Sequence, residues 1–120
     1  YIHQVESWIS TLKDNKSILV TTGTGSGKTE CFMLPVLHDI FVNSPNSQGI
    51  NAIFLYPLNA LIGSQKKRMH SWCEALGNIN YAIYNGNTKN TAPVNKQDKS
   101  YPEIISRLGI RETPPQILSL

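Results

Sequence analysis

The sequence predicts an α/β fold, a parallel sheet with flanking helices, and three observations carry that reading. Short apolar runs at 17–21, 50–56 and 116–120 alternate with longer segments of helical periodicity, the order expected of strands joined by helical crossovers. The run at 50–56 is almost continuously apolar and is closed by Pro57, as in a strand covered on both faces. A glycine-rich loop, Thr22-Gly23-Thr24-Gly25-Ser26-Gly27-Lys28-Thr29, stands directly between the first run and a helical pattern. In that order, loop amides and the positive end of the helix converge on one anionic ligand.

Taken in chain order, Ile2, Val5, Ile9 and Leu12 recur at helical spacing, which predicts an amphipathic helix over 1–13 that stops near Asp14-Asn15. The first strand, 17–21, and the loop follow. Phe32, Val36 and Ile40, with Met33, Leu37 and Phe41, then make a mostly apolar helix. Pro35 lies inside it, and its missing N–H and its clash with the Cys31 carbonyl predict a kink rather than an end, because the apolar pattern continues. Residues 43–49 form a polar loop, and 50–56 the second strand. A helix over 58–76 carries Leu61, Ile62, Met69, Trp72, Cys73 and Leu76, with Gly77 where a C-terminal cap belongs. Residues 79–84 alternate as a third strand. From 85 to 100 the chain is nearly all polar and is expected to be a mobile loop. A short helix around 103–108 is expected next, and Pro114-Pro115 introduces a fourth strand at 116–120. The expectation is one partial domain over 1–120, with an incomplete sheet of about four strands.

Bulk properties bound the function. The chain has 120 residues, 40% hydrophobic and 16% charged, an ordinary globular composition. No apolar stretch approaches the ~20 residues of a membrane span, and no leader pattern opens the chain, so no membrane partner and a cytoplasmic address are expected. Cys31 and Cys73 stand alone, without the spacing of a zinc site or a disulfide framework, and read as reduced thiols. A net charge of +3 is compatible with a polyanionic partner without demonstrating one.

The loop supplies the chemistry. Lys28 is placed to reach the β/γ-phosphates of a nucleotide, and Thr29 to ligate Mg²⁺. Glu30, in the first helical turn, complements the helix dipole. A plain Gly/Ser turn is the alternative, but it gives no reason for the lysine and the hydroxyl to fall in register.

Beyond the loop, Tyr1-Ile2-His3-Gln4, Tyr56-Pro57-Leu58-Asn59-Ala60-Leu61 and Tyr84-Asn85-Gly86-Asn87-Thr88 resemble the first RecA-like domain of superfamily 2 DEAD/DEAH-box helicases. The resemblance extends over the whole chain and looks closest to large bacterial proteins with a Tyr-Pro-x-Asn-Ala-Leu motif. Thr22 departs from the usual Gly-x4-Gly-Lys-Thr pattern, whose first position is glycine, and helicase-type loops often keep only the later glycines. The resemblance implies a P-loop NTPase fold and ATP with Mg²⁺ as cofactors. It implies contact with the nucleotide at Gln4, Thr22, Gly23, Thr24, Gly25, Ser26, Gly27, Lys28, Thr29 and Glu30, with Lys28 and Thr29 catalytic. It also implies that Gln4 reads the adenine edge, although a glutamine there is equally at home on a helix surface. A nucleic-acid partner is implied, DNA over RNA, contacted by Pro57, Leu58 and Asn59 and by Gly86 and Asn87. Two readings stay open for Asn59, a phosphate contact and a helix cap. Two likewise stay open for 84–88, a nucleic-acid contact and a simple Asn-Gly turn. Lys66-Lys67-Arg68 reads as a solvated face or as further phosphate ligands.

The acids are Glu6, Asp14, Glu30, Asp39, Glu74, Asp98, Glu103 and Glu112, and no two are adjacent. Phosphate-loop hydrolases use a second acidic motif to hold Mg²⁺ and orient water, so the chain is expected to be a fragment that binds ATP without hydrolysing it. Two rivals stand beside a helicase: a non-catalytic nucleotide- or nucleic-acid-binding remnant, and a small P-loop kinase. The kinase needs lid arginines, and the only arginines are Arg68, Arg107 and Arg111.

Overall fold

A computed structural model describes residues 1–23, 25, 27–57, 59–93 and 102–120, with Asn59 described by its backbone. The chain forms two compact units, Tyr1–Asn43 and Ser44–Leu120. Among the described residues no helix is long and apolar enough to cross a membrane, and no group of His, Cys, Asp and Glu could hold a metal ion.

In the first unit α1 spans Ile2–Trp8 and runs into a π-helical turn, Ile9–Lys13, so the helix expected over 1–13 changes its winding after about two turns. Asn15 ends it in the left-handed region, φ 53°, a conformation that asparagine tolerates. The apolar positions that make the segment amphipathic, Ile2, Val5, Ile9 and Leu12, are all exposed, and Ser7 is the buried residue. The cause is the way α1 meets the following helix, α2 (Lys28–Asn43). Trp8 Nε1 donates to Glu30 O (2.9 Å) and Gln4 Nε2 to Gly27 O (3.0 Å), so hydrogen-bonding side chains face α2 and the apolar ones face out. Helix α2 is continuous through Pro35 and buries Cys31, Met33, Leu37 and Ile40.

The segment 17–21 corrects the expected first strand. It belongs to no ladder among the described residues, and Leu19 is 90% exposed. Its apolar character is a strand signal, but a strand exists only where a neighbour supplies the hydrogen bonds.

The second unit holds the sheet. Strands β1 (Ala52–Phe54), β2 (Tyr81–Ile83), β3 (Glu103–Ile104) and β4 (Ile117–Ser119) lie in the order β1-β4-β2-β3, and every pairing is parallel. The last strand in sequence is therefore inserted between β1 and β2, with Phe54, Ser119 and Ile83 in register. Gln116 sets its entry. This 3%-exposed residue donates from its backbone N to Asn80 Oδ1 (2.9 Å), and its carbonyl accepts from Asn51 N (2.8 Å) and Ala52 N (3.0 Å). One buried amide thus ties β4 to the starts of both neighbouring strands.

Helix α3 (Asn59–Leu76) connects β1 to β2, burying Ile62, Met69 and Cys73, and ends as expected at Gly77, φ 85°, whose N–H bonds Cys73 O (3.1 Å). Burial pushes the Cys73 thiol up to about 12, so it stays protonated at neutral pH. Burial, then the nearby Glu103 charge, raises the Tyr81 phenol, which lies 3.1 Å from His70 Nδ1. The helix expected around 103–108 is corrected. Glu103–Ile104 is a strand beside β2, and the helix, α4, covers Arg107–Glu112 with Ser106 Oγ capping Gly109 N (2.9 Å). The sheet has four strands, but 103–104 takes the place expected for 17–21.

Candidate nucleotide and nucleic-acid sites

The phosphate loop lies wholly in the first unit, between the extended segment and the N-terminus of α2. Gly25 and Gly27 are both left-handed, φ 75°, which a side chain would penalise. Lys28 and Thr29 open α2. Lys28 Nζ turns back across the loop and donates to Thr22 O (2.6 Å) and Gly23 O (3.0 Å). Its ammonium therefore sits within the curve of the backbone. A Cβ at Gly27 would displace the Gln4 carboxamide from its bond to Gly27 O, and the left-handed backbone there favours a glycine. Thr24 and Ser26 lie outside the described residues.

Gln4 lies beside the loop as the sequence led us to expect. Its carboxamide has protein partners at both ends: Nε2 holds Gly27 O, and Oε1 accepts from Tyr1 N (2.9 Å). Its direct effect is to fix the last glycine of the loop. Tyr1 and His3 stack on each other with centroids 5.4 Å apart. Glu30 is in the first turn of α2 and its carbonyl receives the Trp8 indole.

The expected nucleic-acid residues are in the second unit. Because β1 and β2 are parallel and in register through β4, Pro57 and Asn59 after β1, and Tyr84–Thr88 after β2, all follow the C-terminal edge of one sheet. That edge is where open α/β sheets take ligands. Pro57 is exposed and Asn59 is the first residue of α3; Leu58 lies outside the described residues. The segment 85–88 is a closed turn. Asn85 Oδ1 accepts from Asn87 N (2.9 Å), Asn85 N donates to Thr88 Oγ1 (2.9 Å), Thr88 N donates to Asn85 O (3.2 Å), and Thr88 Oγ1 donates to Ile83 O (2.9 Å). The side chains of Asn85 and Thr88 are thus engaged within the turn, while Gly86 faces open space. Of the polar segment expected to be mobile, Lys89 O and Asn90 O accept from Arg107 N (2.9 Å) and Leu108 N (3.0 Å) at the start of α4. Residues 94–101 lie outside the description.

In the basic run on α3, Lys66 Nζ pairs with Glu103 Oε1 (2.8 Å) and so braces β3. Sequence reasoning passed over Arg107 and Arg111 as site residues. Arg107 lies over the Tyr84 ring, 5.3 Å from its centroid. The i, i+4 spacing of two like charges on one short helix was the available signal.

A DEAD/DEAH box helicase family profile matches residues 2–110. The Druantia protein DruE of Escherichia coli (strain UMEA 4076-1) is 41% identical over 76 residues, 58% of this chain and 4% of that protein. The uncharacterized ATP-dependent helicase YprA of Bacillus subtilis (strain 168) is 34% identical over 89 residues, 73% of this chain and 11% of YprA. The ATP-dependent RNA helicase DBP9 of Meyerozyma guilliermondii is 27% identical over 74 residues, 59% of this chain and 13% of that helicase. The chain thus spans a small part of the length of each relative. No solved structure matches it.

Proposed function

This chain belongs to the DEAD/DEAH-box helicase family, and we propose that it is the ATP-binding portion of an ATP-dependent nucleic-acid helicase or translocase. One observation carries the reading: the Lys28 ammonium is held inside a loop whose two left-handed glycines open directly into α2. The residues fit ATP with Mg²⁺. Lys28 would neutralise the terminal phosphates, the Thr29 hydroxyl would ligate the metal, and amides along 23–29 would receive phosphate oxygens. The bound nucleotide and its metal supply the phosphoryl group whose hydrolysis drives such proteins. The chain's own part is to bind and orient them. Gln4 holds Gly27 in place, and an adenine contact by Gln4 would require its bonds to Tyr1 N and Gly27 O to be exchanged.

Within these residues no two acids are adjacent, so the 120-residue chain binds nucleotide without turning it over. Pro57, Leu58, Asn59, Gly86 and Asn87 contact a nucleic-acid backbone; this is supported by the common edge of the sheet that the two segments share. The Tyr56-Pro57-x-Asn59-Ala60-Leu61 motif favours DNA over RNA, and a cytoplasmic address goes with that activity.

The test is a titration of the purified chain with a fluorescent ATP analogue and Mg²⁺. Lys28→Ala should weaken binding about 10- to 100-fold, as loss of a charged hydrogen-bond partner does, and phosphate release should stay at background. Equal affinity in the two proteins would refute the assignment of Lys28. Turnover by the wild type that Lys28→Ala abolishes would refute the claim of binding without hydrolysis. Competition between single-stranded DNA and RNA of one sequence decides the nucleic-acid preference.

A further inference from the structure

A cavity of about 550 Å³ in the second unit, apart from the phosphate loop, is lined by Tyr84, Asn90, Thr91, Arg107 and Arg111 together with apolar residues of α4. It lies just beyond the C-terminal ends of β2 and β3, since Tyr84 follows Ile83 and α4 follows Ile104 closely. Among the described residues its walls hold two guanidinium groups and no carboxylate. Arg107 and Arg111 are one helical turn apart, a like-charge spacing that is unfavourable in the absence of an anion. No ion pair joins either of them to a carboxylate among the described residues.

Arg107 is fixed in a definite way. Its guanidinium lies over the Tyr84 ring, Nη2 donates weakly to Asn85 O (3.5 Å), and its Nε is buried without a hydrogen-bond partner. Arg107 is half-buried, and a buried donor left unmatched on a charged group is costly unless something negative completes it. The backbone donors at the start of α4 cannot be what an anion meets, because Lys89 O, Asn90 O and Ser106 Oγ already occupy the amides of 107, 108 and 109. Any anion here is bound by side chains. Two planar forks flanked by an amide and a hydroxyl suit a group with several acceptor oxygens in a fixed tetrahedral array.

We propose that this cavity binds a phosphate group, with Arg107 and Arg111 as its cationic ligands and Tyr84 as the platform that holds Arg107. Two sources share that chemistry: a phosphodiester of single-stranded nucleic acid, and a free phosphate or pyrophosphate. As a nucleic-acid contact the site rests on the nucleic-acid reading above; as a site for free phosphate it is independent of it.

The test is made in the Lys28→Ala chain, where the phosphate loop has lost its own cation. A labelled single-stranded oligonucleotide of about 12 nucleotides and inorganic pyrophosphate are titrated separately, the first over a series of salt concentrations. Arg111→Gln, an exposed substitution, is compared with the exposed charge control Lys13→Gln, and Arg107→Lys tests the fork at constant charge. For nucleic acid, Arg111→Gln should lower affinity severalfold and reduce the slope of log K against log salt by about one, while Lys13→Gln leaves both unchanged. For free phosphate, Arg111→Gln should abolish the pyrophosphate response and leave the oligonucleotide curve unmoved. If Arg111→Gln and Arg107→Lys change neither titration, the proposal is overturned. The ATP titration of the Lys28 pair is a separate readout, so failure at the phosphate loop and failure here are distinguishable.

Discussion

The phosphate loop and the 84–88 turn both place glycine after an apolar segment, and they use their polar groups in opposite ways. In the turn, the side chains of Asn85 and Thr88 close on each other and on the backbone of the same few residues. Gly86 is not left-handed, and a methyl there would meet nothing. In the loop, the backbone is bent through two left-handed glycines, and the bonds given to Lys28 run across the curve from a helix end. The side chains of Asn85 and Thr88 are spent on closing the turn, which leaves Gly86 and Asn87 exposed at its tip. The loop holds an ammonium on its own carbonyls, the placement from which we propose that it meets a phosphate.

Four substitutions would break or sharpen that contrast, read as urea midpoints of the full chain. Gly27→Ala should be the most damaging, at about 2 kcal/mol, because the left-handed backbone costs about 1–2 kcal/mol for a residue with a side chain and the Gln4 carboxamide, displaced by the new methyl, loses its bond to Gly27 O. Nucleotide affinity should fall with it. Thr88→Ala should follow at about 1–1.5 kcal/mol, the net worth of hydrogen bonds whose partners lose their mate, with no change in nucleotide affinity. Gly25→Ala should cost about 1 kcal/mol, from backbone strain alone, since nothing lies within 4 Å of its added methyl. Gly86→Ala should stay within about 0.5 kcal/mol of wild type. If Gly86→Ala proved as harmful as Gly27→Ala, the two loops would not differ as described.

Elements with a strong local pattern were legible in the sequence. The helix after the loop, the apolar run closed by Pro57, the helix ended by Gly77 and the run after Pro114-Pro115 all appear where their periodicity and caps place them. What failed was whatever depends on a distant neighbour. Glu103–Ile104 is a strand because Tyr81 and Ala82 offer it a ladder, and two residues carry no period to reveal it. Residues 17–21 have the composition of a strand, but composition cannot provide a partner. Gln116 ties β4 to Asn80, 36 residues away, and Arg107 lies on Tyr84; both contacts arise only once the parallel sheet brings those positions together. The phosphate loop was the most readable part of the candidate site, since its spacing alone expresses its geometry. The arginine-lined cavity was not, because its described residues come from the segment after β2 and from α4, which the sheet brings together.

The measurement that bears most directly on this account is a two-dimensional ¹H–¹⁵N spectrum of the chain titrated with ATP and Mg²⁺. The amides of Gly23, Gly25, Gly27, Lys28 and Thr29 should shift together and saturate, while those of Asn85, Gly86, Asn87 and Thr88 hold still. Shifts confined to 85–88, or a phosphate loop indifferent to the nucleotide, would contradict it.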